Sequence, residues 1–96
     1  MPEPLTPFVV ESSFRLPGLG LLVLPIAPEP SWLATYELHT ALALMLSGTQ
    51  APIIGTVEEV ANDSQLRRAL LLDFDPGTSL PAGTCLQASK TNLNLL

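Results

Sequence analysis

The chain reads as an all-β protein, a small closed or partly closed antiparallel barrel of about six strands. Three observations predict this. Apolar residues recur at period two in several short segments. Turns rich in Pro and Gly separate those segments. The stretch Phe14-Arg15-Leu16-Pro17-Gly18-Leu19-Gly20-Leu21-Leu22-Val23-Leu24 joins an apolar approach, a Pro-Gly turn and an uninterrupted apolar run. That is the pattern of a hairpin whose return strand is covered on both faces.

Taken in order, residues 1–7 form a proline-rich, extended arm. Phe8 to Leu16 alternates, with Phe8, Val10, Phe14 and Leu16 on one face and Val9, Glu11, Ser13 and Arg15 on the other. Only Ser12 interrupts the apolar side. Pro17-Gly18-Leu19-Gly20 is read as a loop in which both glycines take positive φ. Leu21 to Leu24 returns as a central strand. The prolines of Pro25 to Ser31 remove backbone donors, so that segment is a rigid loop.

Trp32 to Ser47 carries two conflicting signals. Its Ala, Leu, Met and Glu content, with Ser31 ahead and Gly48 just behind, favours a helix. Its alternation instead sets Trp32, Ala34, Tyr36, Leu38, Leu42, Leu44 and Leu46 on one face, broken only by Thr40. A helix would be apolar nearly all round from Ala41 to Leu46, a poor amphipathic pattern. The expectation is therefore a strand over roughly Glu37 to Leu46. Pro52 to Val60 and Arg68 to Phe74 follow as strands, divided by the turn cluster Ala61 to Ser64. In the second, Leu70, Leu72 and Phe74 point inward and Leu71, Asp73 and Asp75 outward. Asp75-Pro76-Gly77-Thr78 is a turn, Leu80 to Gly83 a bend, Thr84 to Gln87 a short last strand, and residues 88–96 a tail. The barrel thus spans residues 8–87 of one domain.

Composition narrows the function. With 47% hydrophobic and only 14% charged residues among 96, part of the surface is expected to be apolar or covered by a partner. A net charge of −5 and four basic residues argue against a nucleic-acid surface, since phosphate neutralisation needs clustered Lys and Arg. The single cysteine makes no internal disulfide. No apolar run reaches the ~18 residues of a membrane span, and Met1-Pro2-Glu3-Pro4 lacks the basic start of a signal peptide. A soluble, cytoplasmic protein is expected.

The order of motifs resembles the second, β-barrel domain of translational GTPases such as elongation factor Tu. Phe14 to Val23 is similar to that domain's Phe-x-(Ile/Val)-x-Gly-Arg-Gly-x-Val-Val hairpin. Leu44 to Gly48 followed by Ile54-Gly55-Thr56-Val57-Glu58-Glu59-Val60 resembles its next strand pair, and Ala69 to Phe74 through Leu80 to Leu86 its closing strands. The departures are specific. Leu19 stands where the pattern has its central Arg, the segment after the Val/Ile-Glu element is shortened to Ala61 to Arg67, and the sequence contains no Gly-x4-Gly-Lys-(Ser/Thr) phosphate loop. The resemblance implies a stand-alone barrel that contacts RNA or ribosomal components.

No catalytic constellation emerges from the residues. Gly18-Leu19-Gly20 lacks the third Gly of a dinucleotide loop. Asp73 and Asp75 share a strand face as a carboxylate pair for acid/base work or a hard cation would, but the preferred reading is a solvated strand face running into the Asp-Pro-Gly turn. Glu58 and Glu59 point to opposite faces. His39 stands alone, without the second His or Cys of a transition-metal site. Cys85 has no basic neighbour and reads as a buried, inert thiol. Arg15 and the pair Arg67-Arg68 suit an acidic partner or ordinary charge balance; Trp32 and Tyr36 suit an interface or the core. The expectation is a non-catalytic module, without metal or cofactor, that binds a protein or self-associates. Its candidate partner-binding residues are Arg15, Leu19, Trp32, Tyr36, Glu58, Asp73 and Asp75.

Overall fold

In a computed structural model, which describes residues 6–46, 52–74 and 80–92, the chain forms a closed antiparallel barrel. Its strands are β1 (Phe8–Leu16), β2 (Gly20–Pro25), β3 (Ala41–Leu46), β4 (Ile53–Asn62), β5 (Gln65–Leu72) and β6 (Cys85–Asn92). Around the barrel they run β1-β2-β5-β4-β3-β6. Strands β3, β4 and β5 form a meander and β6 returns beside β3, which is a Greek key. The all-β barrel expected from the sequence is the observed architecture. Among the described residues, no helix is long and apolar enough to cross a membrane.

Alternation explains most of the interior. Leu21 and Val23, Leu42 and Leu44, Ile53 and Val57, and Leu70 and Leu72 are buried in one cluster with Phe8, Val10 and Leu86. Strand β1 departs from its expected pattern. Val10 pairs with Pro25 but Ser12 pairs with Leu24, so Glu11 is an extra residue in a β-bulge. A one-residue insertion swaps the faces beyond it. Phe14, expected inside, is therefore outside and 50% exposed. Ser13 instead sits opposite the buried Val23. Its hydroxyl donates to the Leu80 carbonyl (3.2 Å) and accepts from the Leu80 N–H (2.8 Å), tying residue 80 to the barrel.

The hairpin turn forms as read. Leu19 N–H donates to the Leu16 carbonyl (2.9 Å), with Pro17 and Gly18 between them. Gly18 (φ +80°) supplies the left-handed position a type II turn needs. Gly20 (φ +132°) has a second constraint, because a Cβ there would collide with the Leu72 carbonyl oxygen. Strand β2 packs backbone to backbone against β5 at that point.

Several boundaries differ from expectation, among them the end of β5 at Leu72 rather than Phe74. Strand β3 begins at Ala41 rather than Glu37. The preceding chain forms a single 3₁₀ turn, Ser31–Ala34, in which the consecutive residues Trp32 and Leu33 are both buried. No strand can bury neighbours on one side, so the period-two reading fails there and Leu38 is 40% exposed. A turn then closes with Thr40 N–H on Glu37 O and His39 at φ +71°. Strands β4 and β5 both extend to a two-residue turn, Asp63 (φ +51°) and Ser64 (φ +67°), flanked by the pair Asn62 and Gln65. That is the geometry of a type I′ hairpin, which preserves the ladder to its tip. Finally β6 runs to Asn92, where a tail was expected from residue 88. Ala88 is buried and Asn92 pairs with Leu42, so backbone pairing with β3 carries a segment lacking apolar alternation. The expected turn at Asp75 to Thr78 lies outside the described residues.

Gly20→Ala combines an unfavourable φ with a backbone collision, whereas a Cβ at Gly18 would meet nothing within 4 Å. We expect Gly18→Ala to cost about 1 kcal/mol and Gly20→Ala clearly more, upward of about 2 kcal/mol. Urea unfolding of the two variants checks the ranking; equal losses would contradict the close approach of β2 to β5.

Candidate partner-binding surface

The sequence candidates divide into residues that hold the fold and residues that face outward. Trp32 is only 6% exposed. Its indole Nε1–H donates to the Thr6 carbonyl (2.6 Å), and its ring meets Tyr36 edge to face at 6.2 Å. The pair fastens the 3₁₀ turn and the N-terminal segment onto the core. Trp32 is thus part of the core, while Tyr36 stays half-buried at its edge.

The arginine pair is also occupied. Consecutive positions on a strand point apart, and the partners follow suit. Arg67 donates to Glu11 Oε1 (3.2 Å) and to the Pro25 carbonyl (2.6 Å). Arg68 donates to the Tyr36 carbonyl (2.9 Å) and lies 3.9 Å from Glu59. Arg67 ties β5 to the bulge of β1 and the end of β2, and Arg68 ties it to the segment before β3. Glu58 is likewise engaged: it accepts from the Thr56 hydroxyl (2.8 Å) and lies 3.1 Å from His39 Nδ1. His39 N–H donates to Val57 O and Val57 N–H to Thr40 O, so the His39 turn clips onto β4. Arg15 is exposed and makes its own contact. Cys85, read as buried, is partly exposed on the outer side of β6, beside Val9.

What remains is an apolar outer wall. Phe14 pairs with Leu22, Leu22 with Leu71, Leu71 with Thr56, and Thr56 with Ala41. Their strand neighbours Leu21, Val23, Leu70, Leu72 and Leu42 are fully buried, so this row faces away from the core. Below it run Gly20, Asp73, Ile54 and Ala43; Asp73 N–H donates to the Ile54 carbonyl (2.7 Å), continuing the ladder, and Ile54 is 38% exposed. At the hairpin end the wall opens into a cleft of about 320 Å³ lined by Leu16, Gly18, Leu19, Gly20, Asp73 and Phe74. Leu19 is 63% exposed. The fold thus brings two sequence candidates, Leu19 and Asp73, into one cleft. Asp75 lies outside the described residues.

Comparison with protein-family models, with curated proteins and with solved structures gives no match.

A second open cleft, about 430 Å³, lies between the β4–β5 hairpin and the loop after β2. Glu11, Glu29 and Asp63 line it beside Ala27, Leu66 and the already engaged Arg67. Among the described residues, no three His, Cys, Asp or Glu side chains are grouped so as to hold a metal ion.

Sequence reasoning placed Leu71 outward, where it lies, but it set Phe14 inside and read β2, with Leu22, as covered on both faces. The signal was present in β2: a run apolar on both faces needs two covers. A barrel of 96 residues supplies only its own interior as one of them.

Phe14→Thr and Leu71→Thr keep strand propensity while removing exposed apolar surface, so each is expected to change stability by less than about 1 kcal/mol. Phe8→Ala, at a fully buried site, is expected to cost about 3–5 kcal/mol. Denaturant titration of the three variants checks the assignment; a comparable loss for Phe14→Thr would place that ring in the core.

Proposed function

We propose that this chain is a non-catalytic protein-binding barrel whose working surface is the outer wall of β1, β2 and β5. The observation that carries this reading is the unbroken row Phe14, Leu22, Leu71, bordered by the Leu19 cleft. Burying one such side chain is worth about 1.5–3 kcal/mol relative to full exposure. These three are already partly covered, so a partner recovers only a fraction of that from each. Association itself costs at least about 4 kcal/mol. The row alone therefore supports weak, reversible binding, and contacts at the cleft must supply the remainder.

The alternative of a translation-factor-like barrel on RNA has less support. It needs cations on the surface, and Arg67 and Arg68 are spent on Glu11, Pro25, Tyr36 and Glu59.

The test is comparative affinity capture with the wild-type chain and a Phe14→Thr/Leu71→Thr double variant. We expect a partner retained by the wild type and by Glu37→Gln, but lost by the double variant at unchanged melting temperature. Identical recoveries with all three chains would refute the proposed surface.

A further inference from the structure

We infer that the cleft beside Leu19 and Phe74 receives a peptide segment of another protein in which a Lys or Arg sits among apolar side chains. The inference rests on the protein-binding reading and specifies its partner. Its basis is the charge pattern of the wall. Asp73 lies between Gly20 and Ile54 on the outer face and lines the cleft. Among the described residues its carboxylate has no hydrogen bond or ion pair, whereas Glu11, Glu58 and Glu59 each have one. Among the described residues Glu29, Glu37 and Asp63 also lack side-chain partners, but Glu29 and Asp63 line the other cleft and Glu37 belongs to the turn before β3. Among the described residues, no Lys or Arg lines the cleft or the two outer rows described above.

A single carboxylate on an apolar wall selects its occupant by charge. A cation there gains an ion pair in a setting where flanking side chains displace water. A second copy of the chain is the wrong occupant. A two-fold contact through this wall would put both Asp73 carboxylates into one interface without a Lys or Arg from the wall residues named above to pair with either, and each copy carries a net charge of −5. A nucleic acid is wrong for the same reason.

The test uses the full isotopically labelled chain and two capped heptapeptides, one alternating leucine with arginine and the other leucine with glutamate. The arginine peptide is expected to shift the amide resonances of Leu19, Gly20, Asp73 and Phe74 saturably. Asp73→Asn should weaken it about fivefold at low salt, the scale of a partly exposed ion pair. Salt at about 0.5 M should do the same by screening, and Glu29→Gln should leave the affinity unchanged. The glutamate peptide should bind no better than the arginine peptide binds Asp73→Asn. Equal binding of both peptides at the cleft would overturn the cation requirement while leaving apolar docking intact. Shifts confined to the cleft of Glu11, Glu29 and Asp63 would overturn the location. A dimer in sedimentation that Phe14→Thr dissolves would show the occupant to be a second copy and overturn the inference. Absence of binding by either peptide would also overturn it; the capture experiment with the double variant then decides the broader reading separately.

Discussion

Strand β1 has to serve two neighbours, and the bulge at Glu11 is how it does so. Its first residues pair with β6, Phe8 with Leu86 and Val9 with Cys85, while its remainder pairs with β2 as far as Leu16 and Gly20. Around the bulge three backbone groups are claimed by other segments. Val10 N–H donates to Thr84 O and Val10 O accepts from Gly83 N–H, both at 2.8 Å; Val9 O accepts from Ile26 N–H, also at 2.8 Å. The ion pair from Glu11 to Arg67 is a minor contributor, since Glu11 is about half exposed and such pairs are worth less than about 1 kcal/mol. Paired backbone, not charge, holds the bend. Bulges sharpen twist and curvature, and a barrel of few strands needs both to close.

Closure and exposure then share one cause. The extra residue that bends β1 toward β6 also turns Phe14 outward, where it meets Leu22 and Leu71. Closure pairs the strands all round the barrel body, although β5 meets β2 only at Leu70 to Leu72 and β4 meets β3 only at Ile53 to Thr56, so the outer part of the β4–β5 hairpin ladders with itself alone. Over the body of the barrel, association falls to side chains on the outer wall. The barrel closes its interior with Phe8, Val10, Leu21, Val23, Leu42, Leu44, Val57, Leu70, Leu72 and Leu86, and plugs it with the adjacent Leu33. The row on the outside is surplus to that core.

Much of this was legible in the residues, and the misreadings have physical reasons. Period-two patterning located β1, β4 and β5, and an uninterrupted apolar run located β2, in which Val23, Leu24 and Pro25 are all buried. It could not reveal the bulge: Ser12, the lone polar residue on the apolar side of Phe8 to Leu16, was its only trace. Period two also fitted Trp32 to Leu38 by coincidence. There the 3₁₀ turn sends the neighbouring side chains Trp32 and Leu33 into one core, where a strand would point them to opposite faces. The last strand was invisible beyond Gln87 because its partner β3 supplies backbone hydrogen bonds that need no apolar side chains. Of the candidate surface, Leu19 and Asp73 were identified from sequence, but their meeting depends on Gly20 lying against Leu72. That contact is between strands far apart in the chain.

The account stands most directly on the direction of one ring. Solution NMR with a soluble paramagnetic agent reports how close each side chain lies to solvent. The aromatic protons of Phe14 should be broadened strongly, in company with the methyl groups of Leu19, while those of Phe8 remain sharp. A Phe14 ring as well protected as Phe8 would mean that β1 runs without its bulge, and both the barrel closure described here and the outer apolar row would be wrong.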